Sequence, residues 1–234
     1  DFATKLRGSQ PISSTMPSYI PHNVSQGDLT VPVTHITTLP NGLRVASQET
    51  YGQVTTVGVL INCGSRYENH ESAGVNHILE LLAFSSNDNE ILVQELGGGT
   101  FASSSREQFL YCIDILRPSV PQAMSLLAQS VTQLPSEEQL EQVKKVIEYQ
   151  YLDMLPEVLL GEGLQMAAYG PLKKSNSNHD LQQIGRPHLC PLESLPNINI
   201  ESVRDFHRSH LSDPTQMVLA GSGIVHEELV NLAQ

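Results

Sequence analysis

The run Val54–Ile61 places the strongest constraint on the fold of this chain. Its eight residues carry no charge and are mostly β-branched or aliphatic. β-branched side chains keep few rotamers in a helix and pack well on a pleated surface. The run therefore predicts an interior strand, which needs a neighbouring strand on each side.

Two further strand pairs supply such neighbours. His35–Leu39 and Leu43–Ser47 flank the turn sequence Pro40-Asn41-Gly42, which predicts a hairpin. Thr100–Ser105 and Phe109–Leu116 predict a second pair. Met217–Gly221 predicts a last strand, which we expect to return to the same sheet from far along the chain.

Helical periodicity fills most of the chain between these strands. Ser136 and Gln139 have the spacing of a capping box, which predicts a helix start at this point. The predicted helices cover 74–84, 88–96 (capped by Asp88), 118–134, 136–154, 156–169, 199–210 (capped by Asn199) and a terminal segment from Glu227. This order of elements predicts an α+β fold, a two-layer sandwich of helices packed on a mostly antiparallel sheet.

The ends of the predicted domain follow from composition. Residues 1–33 are rich in Ser, Pro, Thr and Gly, which predicts an extended arm that lies on another surface. Residues 34–234 are predicted to form the α+β domain. Within it, the polar, Pro-containing segment 170–196 is expected to lie outside the core.

Charge and cysteine content narrow the class of function. With 13 basic and 25 acidic residues, the net charge of −12 argues against binding nucleic acid and is compatible with basic peptides. Cys63, Cys112 and Cys190 are widely spaced and odd in number, which favours buried free thiols in a reducing compartment. No apolar run approaches the roughly 20 residues of a transmembrane helix.

The helix predicted at 74–84 carries part of a metal motif. His77 and Glu80 are three residues apart and share one helical face. In the inverted zincin motif, H-x-x-E-H, a second His follows the Glu, but Leu81 stands there and has no lone pair to offer. The sequence predicts a vestigial site. His207 and His210 have a similar spacing, and we interpret them as surface residues rather than as a second metal site.

Several stretches together resemble the processing-peptidase branch of the pitrilysin-type metallopeptidases. The likeness extends over about residues 35–234 and is greatest to alpha-type subunits and to the related core subunits of ubiquinol–cytochrome c reductase. The matching stretches are 38–45, 64–68, 74–80 with Ala83 and Phe84, 96–98, 104–107, 217–221 and 226–229.

The resemblance implies a fold in which this domain is the first half of a two-half subunit. It also implies that active members use a third ligand, a Glu, at a position that falls near Gln150 here. Glu148 is the alternative if the register differs. With Leu81 in place, either residue leaves fewer than the three protein ligands that catalytic zinc needs. The expectation is an inactive metallopeptidase homologue without a cofactor, whose beta-type partner binds the zinc.

The resemblance further implies partners and a location. They are a beta-type subunit (core subunit 1), other respiratory-complex subunits and basic presequence peptides, on the matrix side of the mitochondrial inner membrane. Glu137, Glu138 and Glu141 are candidates for facing such peptides, although a solvated helix face explains them equally well. A purely structural core subunit and an active zinc peptidase remain as alternatives.

Overall fold

The computed structural model describes residues 32–50, 52–69, 71–85, 87–170 and 184–234. The arm predicted at residues 1–33 therefore lies outside the described residues, apart from its last two positions. It stays a prediction.

The described strands form one six-stranded sheet in the order β1-β2-β6-β3-β5-β4. Of its neighbouring pairs, β2 and β6 run parallel and the rest run antiparallel. The predicted mostly antiparallel sheet is thus confirmed, and the late strand β6 returns to its centre. The bounds are Thr34–Thr38 (β1), Arg44–Gln48 (β2), Val54–Ile61 (β3), Gly99–Ser104 (β4), Phe109–Leu116 (β5) and Met217–Ser222 (β6).

Seven α-helices occur in the described part of the chain, each close to its predicted position. None of these described helices has both the length and the apolar character needed to cross a bilayer. Their bounds are Val75–Leu82 (α1), Asn87–Glu95 (α2), Val120–Thr132 (α3), Glu137–Asp153 (α4), Pro156–Tyr169 (α5), Ile200–His210 (α6) and His226–Leu232 (α7).

Burial alternates along the strands because helices cover one face of the sheet. On β5, Phe109, Tyr111, Ile113 and Ile115 are buried, whereas the residues between them are not. Helix α3 packs on β3 and β5, and α1 packs on β4. The apolar side chains of the two layers meet in one core, so the predicted two-layer α+β sandwich is confirmed.

The helices that cover the sheet bury the apolar residues that recur at helical spacing in the sequence. On α4, Leu140, Val143 and Ile147 face the core. Both bonds of the predicted capping box are present: Ser136 Oγ accepts the Gln139 N–H at 3.2 Å, and Gln139 Oε1 accepts the Ser136 N–H at 2.9 Å. The predicted Asn199 cap of α6 is also formed, with the Ser202 N–H.

Segment 170–196 departs from its prediction. Residues 171–183 lie outside the described part, but Cys190 and Leu195 are core residues with 0% and 4% exposure. An irregular segment can be buried when its backbone polar groups find partners. Here the Cys190 N–H bonds to His77 and the Cys190 carbonyl accepts the Tyr151 hydroxyl. The hydrophobic periodicity of a sequence does not reveal this kind of burial, because it depends on hydrogen bonds to distant residues.

The prediction that His207 is a surface residue was also wrong. Its side chain is 3% exposed and Nε2 donates to the Val131 carbonyl at 2.9 Å. His210, three residues on, is partly exposed, and its ring lies tilted beside those of Phe206 and Tyr67. The two histidines therefore have different surroundings despite their common spacing.

Candidate functional site

Helix α1, the motif helix that carries His77 and Glu80, begins next to a buried carboxylate. Glu68 is 4% exposed; its Oε2 accepts the Gly74 N–H at 2.9 Å and its Oε1 accepts the Asn76 N–H at 2.8 Å. These are N–H groups of the first turn, which otherwise lack partners. Burial raises the pKa of Glu68 to about 7, although the two N–H bonds and Arg186 oppose that shift. Glu68 thus fixes the start of α1 from outside the helix.

Cys190 packs against the start of this helix, at Gly74. Gly74 has φ +96°, and a Cβ there would lie 2.3 Å from Cys190 Sγ and 2.8 Å from Cys190 Cα. Only glycine meets both requirements without strain. The backbone around Cys190 therefore packs directly on the first turn of α1.

His77 lies beneath the same segment and is 5% exposed. Its Nδ1 accepts the Cys190 N–H at 3.2 Å. A ring nitrogen that accepts carries no proton, so the neutral ring has its hydrogen on Nε2. Burial lowers the pKa of His77 and His188 adds to this, while Glu80 acts in the opposite direction. The ring is therefore held neutral, in one tautomer.

The hydrogen bond from the Cys190 N–H occupies the one ring lone pair of His77 that a metal ion would need. A metal-bound His offers one nitrogen lone pair to the metal and donates its other N–H to a neighbouring acceptor. In this chain the Nδ1 lone pair of His77 is already used by Cys190, and Nε2 carries the hydrogen. His77 acts as an acceptor that satisfies buried backbone.

Glu80 is engaged as well. Its Oε2 accepts the Ser104 N–H at 3.0 Å and the Ser104 hydroxyl at 2.6 Å. These bonds fasten the middle of α1 to the end of β4. Leu81, where the motif would have its second His, packs partly buried against the core. Both positions therefore have structural contacts of their own.

A polar network anchors the segment that covers α1. Glu162 Oε2 accepts Arg106 Nη2 at 2.9 Å and the His188 N–H at 2.9 Å. Arg106 Nε also donates to the Arg186 carbonyl at 3.1 Å. The rings of His188 and His77 lie 6.3 Å apart, centroid to centroid. Sequence reasoning missed this network because it joins residues that are far apart in the chain.

Within the described ranges, the side chains do not fit a zinc ion. Among the residues that the structure describes, no group of three His, Cys, Asp or Glu is arranged to hold a metal. Gln150 and Glu148 are both exposed on α4. Which of them corresponds to the third ligand of active relatives stays a prediction, as does the vestigial nature of His77 and Glu80.

The predicted peptide-facing acids lie at the start of α4. Glu137, Glu138 and Glu141 are exposed, and Glu141 pairs with Lys144 at 2.8 Å. Glu137 and Glu138 occupy the first helical turn, where the helix dipole favours negative charge. Their position is compatible with a helix-stabilising role and with contact to a basic peptide.

The fold and the motif helix together define the class of protein. Residues 44–179 match the family described as Insulinase (Peptidase family M16), which is more than half of the chain. This chain belongs to the M16 peptidase family.

Within that family, the chain is similar to subunits of one enzyme. It is 37% identical to the human mitochondrial-processing peptidase subunit alpha over 213 residues, which is 86% of this chain and 38% of that protein. To the probable alpha-1 subunit of Arabidopsis thaliana it is 37% identical over 209 residues, 85% of this chain and 39% of that protein. To the beta subunit of Bos taurus it is 33% identical over 215 residues, 88% and 42% respectively.

A solved structure supports the fold. A protease from Helicobacter pylori superposes with a TM-score of 0.75 at 22% identity, covering 86% of this chain and 49% of that one. At this identity the likeness concerns the fold alone. The chain spans about two fifths of the length of the curated relatives described above.

Proposed function

We propose that this chain is a non-catalytic, alpha-type part of a mitochondrial processing peptidase. The similarity to curated alpha subunits supports the alpha type. In this proposal, residues 34–234 form the first half of a two-half subunit, and residues 1–33 form an arm that lies on another part of the assembly.

The state of the motif helix carries the proposal. Leu81 removes one ligand, the His77 lone pair is held by the Cys190 N–H, and Glu80 bonds to Ser104. A general base must reach a metal-bound water with a free lone pair, and a zinc site needs three ligands. Both Ser104 bonds fall on Glu80 Oε2, so two features argue against metal chemistry on this helix, the Leu81 side chain and the occupied His77 lone pair.

In this proposal, a partner subunit carries out the zinc-dependent peptide cleavage. The similarity to a beta subunit as well as to alpha subunits supports a partner of the beta type, which we propose binds the zinc. The net charge of −12 supports basic presequence peptides as the substrate class, because opposite charge steers their approach. The exposed Glu137, Glu138 and Glu141 are the proposed contacts. This assignment places the chain in the mitochondrial matrix.

A core subunit of ubiquinol–cytochrome c reductase, on the matrix side of the inner membrane, is the second candidate. It is compatible with the first, since both need a beta-type (core 1) neighbour. It differs in expecting further respiratory subunits in the same complex.

The test is to isolate the native complex that contains this chain and to count zinc per polypeptide. Co-purification with a zinc-bearing beta-type subunit, and no zinc on this chain, supports the proposal. Cytochromes in the same complex would show the core-subunit placement. Stoichiometric zinc on this chain would contradict the non-catalytic role.

A paired substitution makes the test sharper. Glu80→Gln in this chain should leave presequence cleavage by the reconstituted pair nearly unchanged. The matched Glu→Gln change in the zinc motif of the beta-type partner should abolish it. Loss of most cleavage through Glu80→Gln, with assembly intact on a native gel, would refute the proposal.

A further inference from the structure

A small cavity lies where four helices meet, away from the motif face of α1. Its volume is about 30 Å³. Helix α1 and the residue after it line the cavity with Leu79, Leu82 and Ala83. Three other helices add one polar residue each: Ser130 from α3, Gln139 from α4 and His207 from α6. The cavity therefore lies within the helical layer, at the edge of the core.

Two of the residues that line this cavity each have a buried polar atom with no partner among the described residues. These atoms are His207 Nδ1 and Ser130 Oγ. The His207 side chain is 3% exposed. A buried polar group without a partner destabilises a fold by about 1–3 kcal/mol, so native proteins rarely leave two together.

The hydrogen bonding of His207 defines what the cavity must supply. Nε2 contacts the Val131 carbonyl at 2.9 Å, and a carbonyl can only accept, so Nε2 carries the hydrogen. Burial lowers the pKa of His207, which keeps the ring neutral. Nδ1 therefore carries a lone pair and needs a hydrogen-bond donor. The Ser130 hydroxyl can either donate or accept a hydrogen bond.

The size and polarity of the space fit water. A cavity of about 10–15 Å³ is enough for one water molecule, provided that polar partners line it. Of the residues that the structure describes, no Asp, Glu, Lys or Arg lines this cavity, so none of them selects an ion there. A neutral molecule that donates to one group and bonds to a second meets the requirement.

We propose that this cavity is a binding site for a structural water molecule. The water donates one hydrogen to His207 Nδ1 and hydrogen-bonds Ser130 Oγ, so that it joins α6 to the end of α3. It acts beside the direct bonds from Arg204 to the Pro135 carbonyl, at 3.3 Å from Nε and 3.1 Å from Nη2. Helix α6 would then be attached to residues 130–135 by three separate contacts.

The first test is a crystal structure of the full chain at a resolution that orders internal water. The expected result is one density peak about 2.7–3.2 Å from both His207 Nδ1 and Ser130 Oγ. An empty cavity would overturn the proposal. So would a rotated Ser130 whose hydroxyl donates directly to His207.

The second test is thermal unfolding of four proteins: wild type, Ser130→Ala, His207→Phe and the double variant. Ser130→Ala should lower the midpoint by about 2–4 °C in the wild-type background. It should have a clearly smaller effect beside His207→Phe, because groups that share a partner are not additive. Equal effects in both backgrounds would overturn the bridge.

Ser125→Ala is the matched control for that cycle. Ser125 lies on the exposed face of the same helix α3, so it reports the change in helix propensity without touching the cavity. Its shift is subtracted from that of Ser130→Ala. If His207→Phe does not fold, the crystallographic result still decides.

Discussion

The contact between Gly74 and Cys190 allows a sharp test of how the motif helix is covered. Gly74→Ala adds one carbon at a position with φ +96°. The new Cβ would meet three Cys190 atoms, at 2.3 Å (Sγ), 2.7 Å (Cβ) and 2.8 Å (Cα). The substitution therefore combines backbone strain with a collision that involves backbone.

The two effects have separate magnitudes. A non-glycine residue in the left-handed region costs about 1–2 kcal/mol. Forcing extra volume into a packed interior costs about 1–3 kcal/mol. Their sum predicts a loss of about 2–5 kcal/mol in the free energy of unfolding. The movement that relieves the collision should also lengthen the Cys190 N–H bond to His77.

Two other glycines separate these effects. Gly97 has φ +75°, but its nearest neighbour would be Leu116 Cδ1 at an ordinary 3.5 Å, so Gly97→Ala should show the strain alone. Gly161 lies in α5, and a Cβ there would meet no atom of the described residues within 4 Å. Gly161→Ala should stabilise by about 0.5–1 kcal/mol, because alanine loses less conformational freedom in a helix.

The assay is urea unfolding of the three variants and the wild type, followed by circular dichroism. The expected order of stability is Gly161→Ala, wild type, Gly97→Ala and then Gly74→Ala. If Gly74→Ala is no less stable than Gly97→Ala, the Cys190 segment does not pack on α1 as described, and the account of the covered motif fails with it.

Three further predictions use the same measurement or a metal assay. The pKa of Glu68 is raised from 4.5 to about 7 by folding, so the folded state holds a proton that the unfolded state has lost between these values. The quantity to compare is the difference in free energy of unfolding between the wild type and Glu68→Gln. As pH rises from about 4.5 to about 7, the wild type should lose up to about 3 kcal/mol relative to the variant. A difference that does not change with pH would contradict this. Leu81→His should not create a stoichiometric zinc site, since the His77 lone pair remains on the Cys190 N–H; one zinc per chain by mass spectrometry would show otherwise. Ser136→Ala should lower stability by about 1 kcal/mol through loss of the α4 cap, and a change below about 0.3 kcal/mol would argue against that cap.

Much of the fold could be predicted because its signals are local. The β-branched run at 54–61 is a strand with the predicted bounds, and the cap at Ser136 forms both of its bonds. Such signals arise within a few residues, since they depend on rotamer freedom and first-turn N–H groups. The free, buried thiol predicted at Cys190 is confirmed, but the same local reasoning failed at Leu195 of segment 170–196 and at His207, where burial depends on partners that are distant in sequence.

The candidate site divides in the same way. The sequence by itself determined that Leu81 cannot bind a metal, because the missing lone pair is a property of the side chain. Only the tertiary structure decided what His77 does instead, because its partner is 113 residues away at Cys190. The tautomer of a histidine depends on the donors and acceptors around it, and those are brought together by packing of the whole chain.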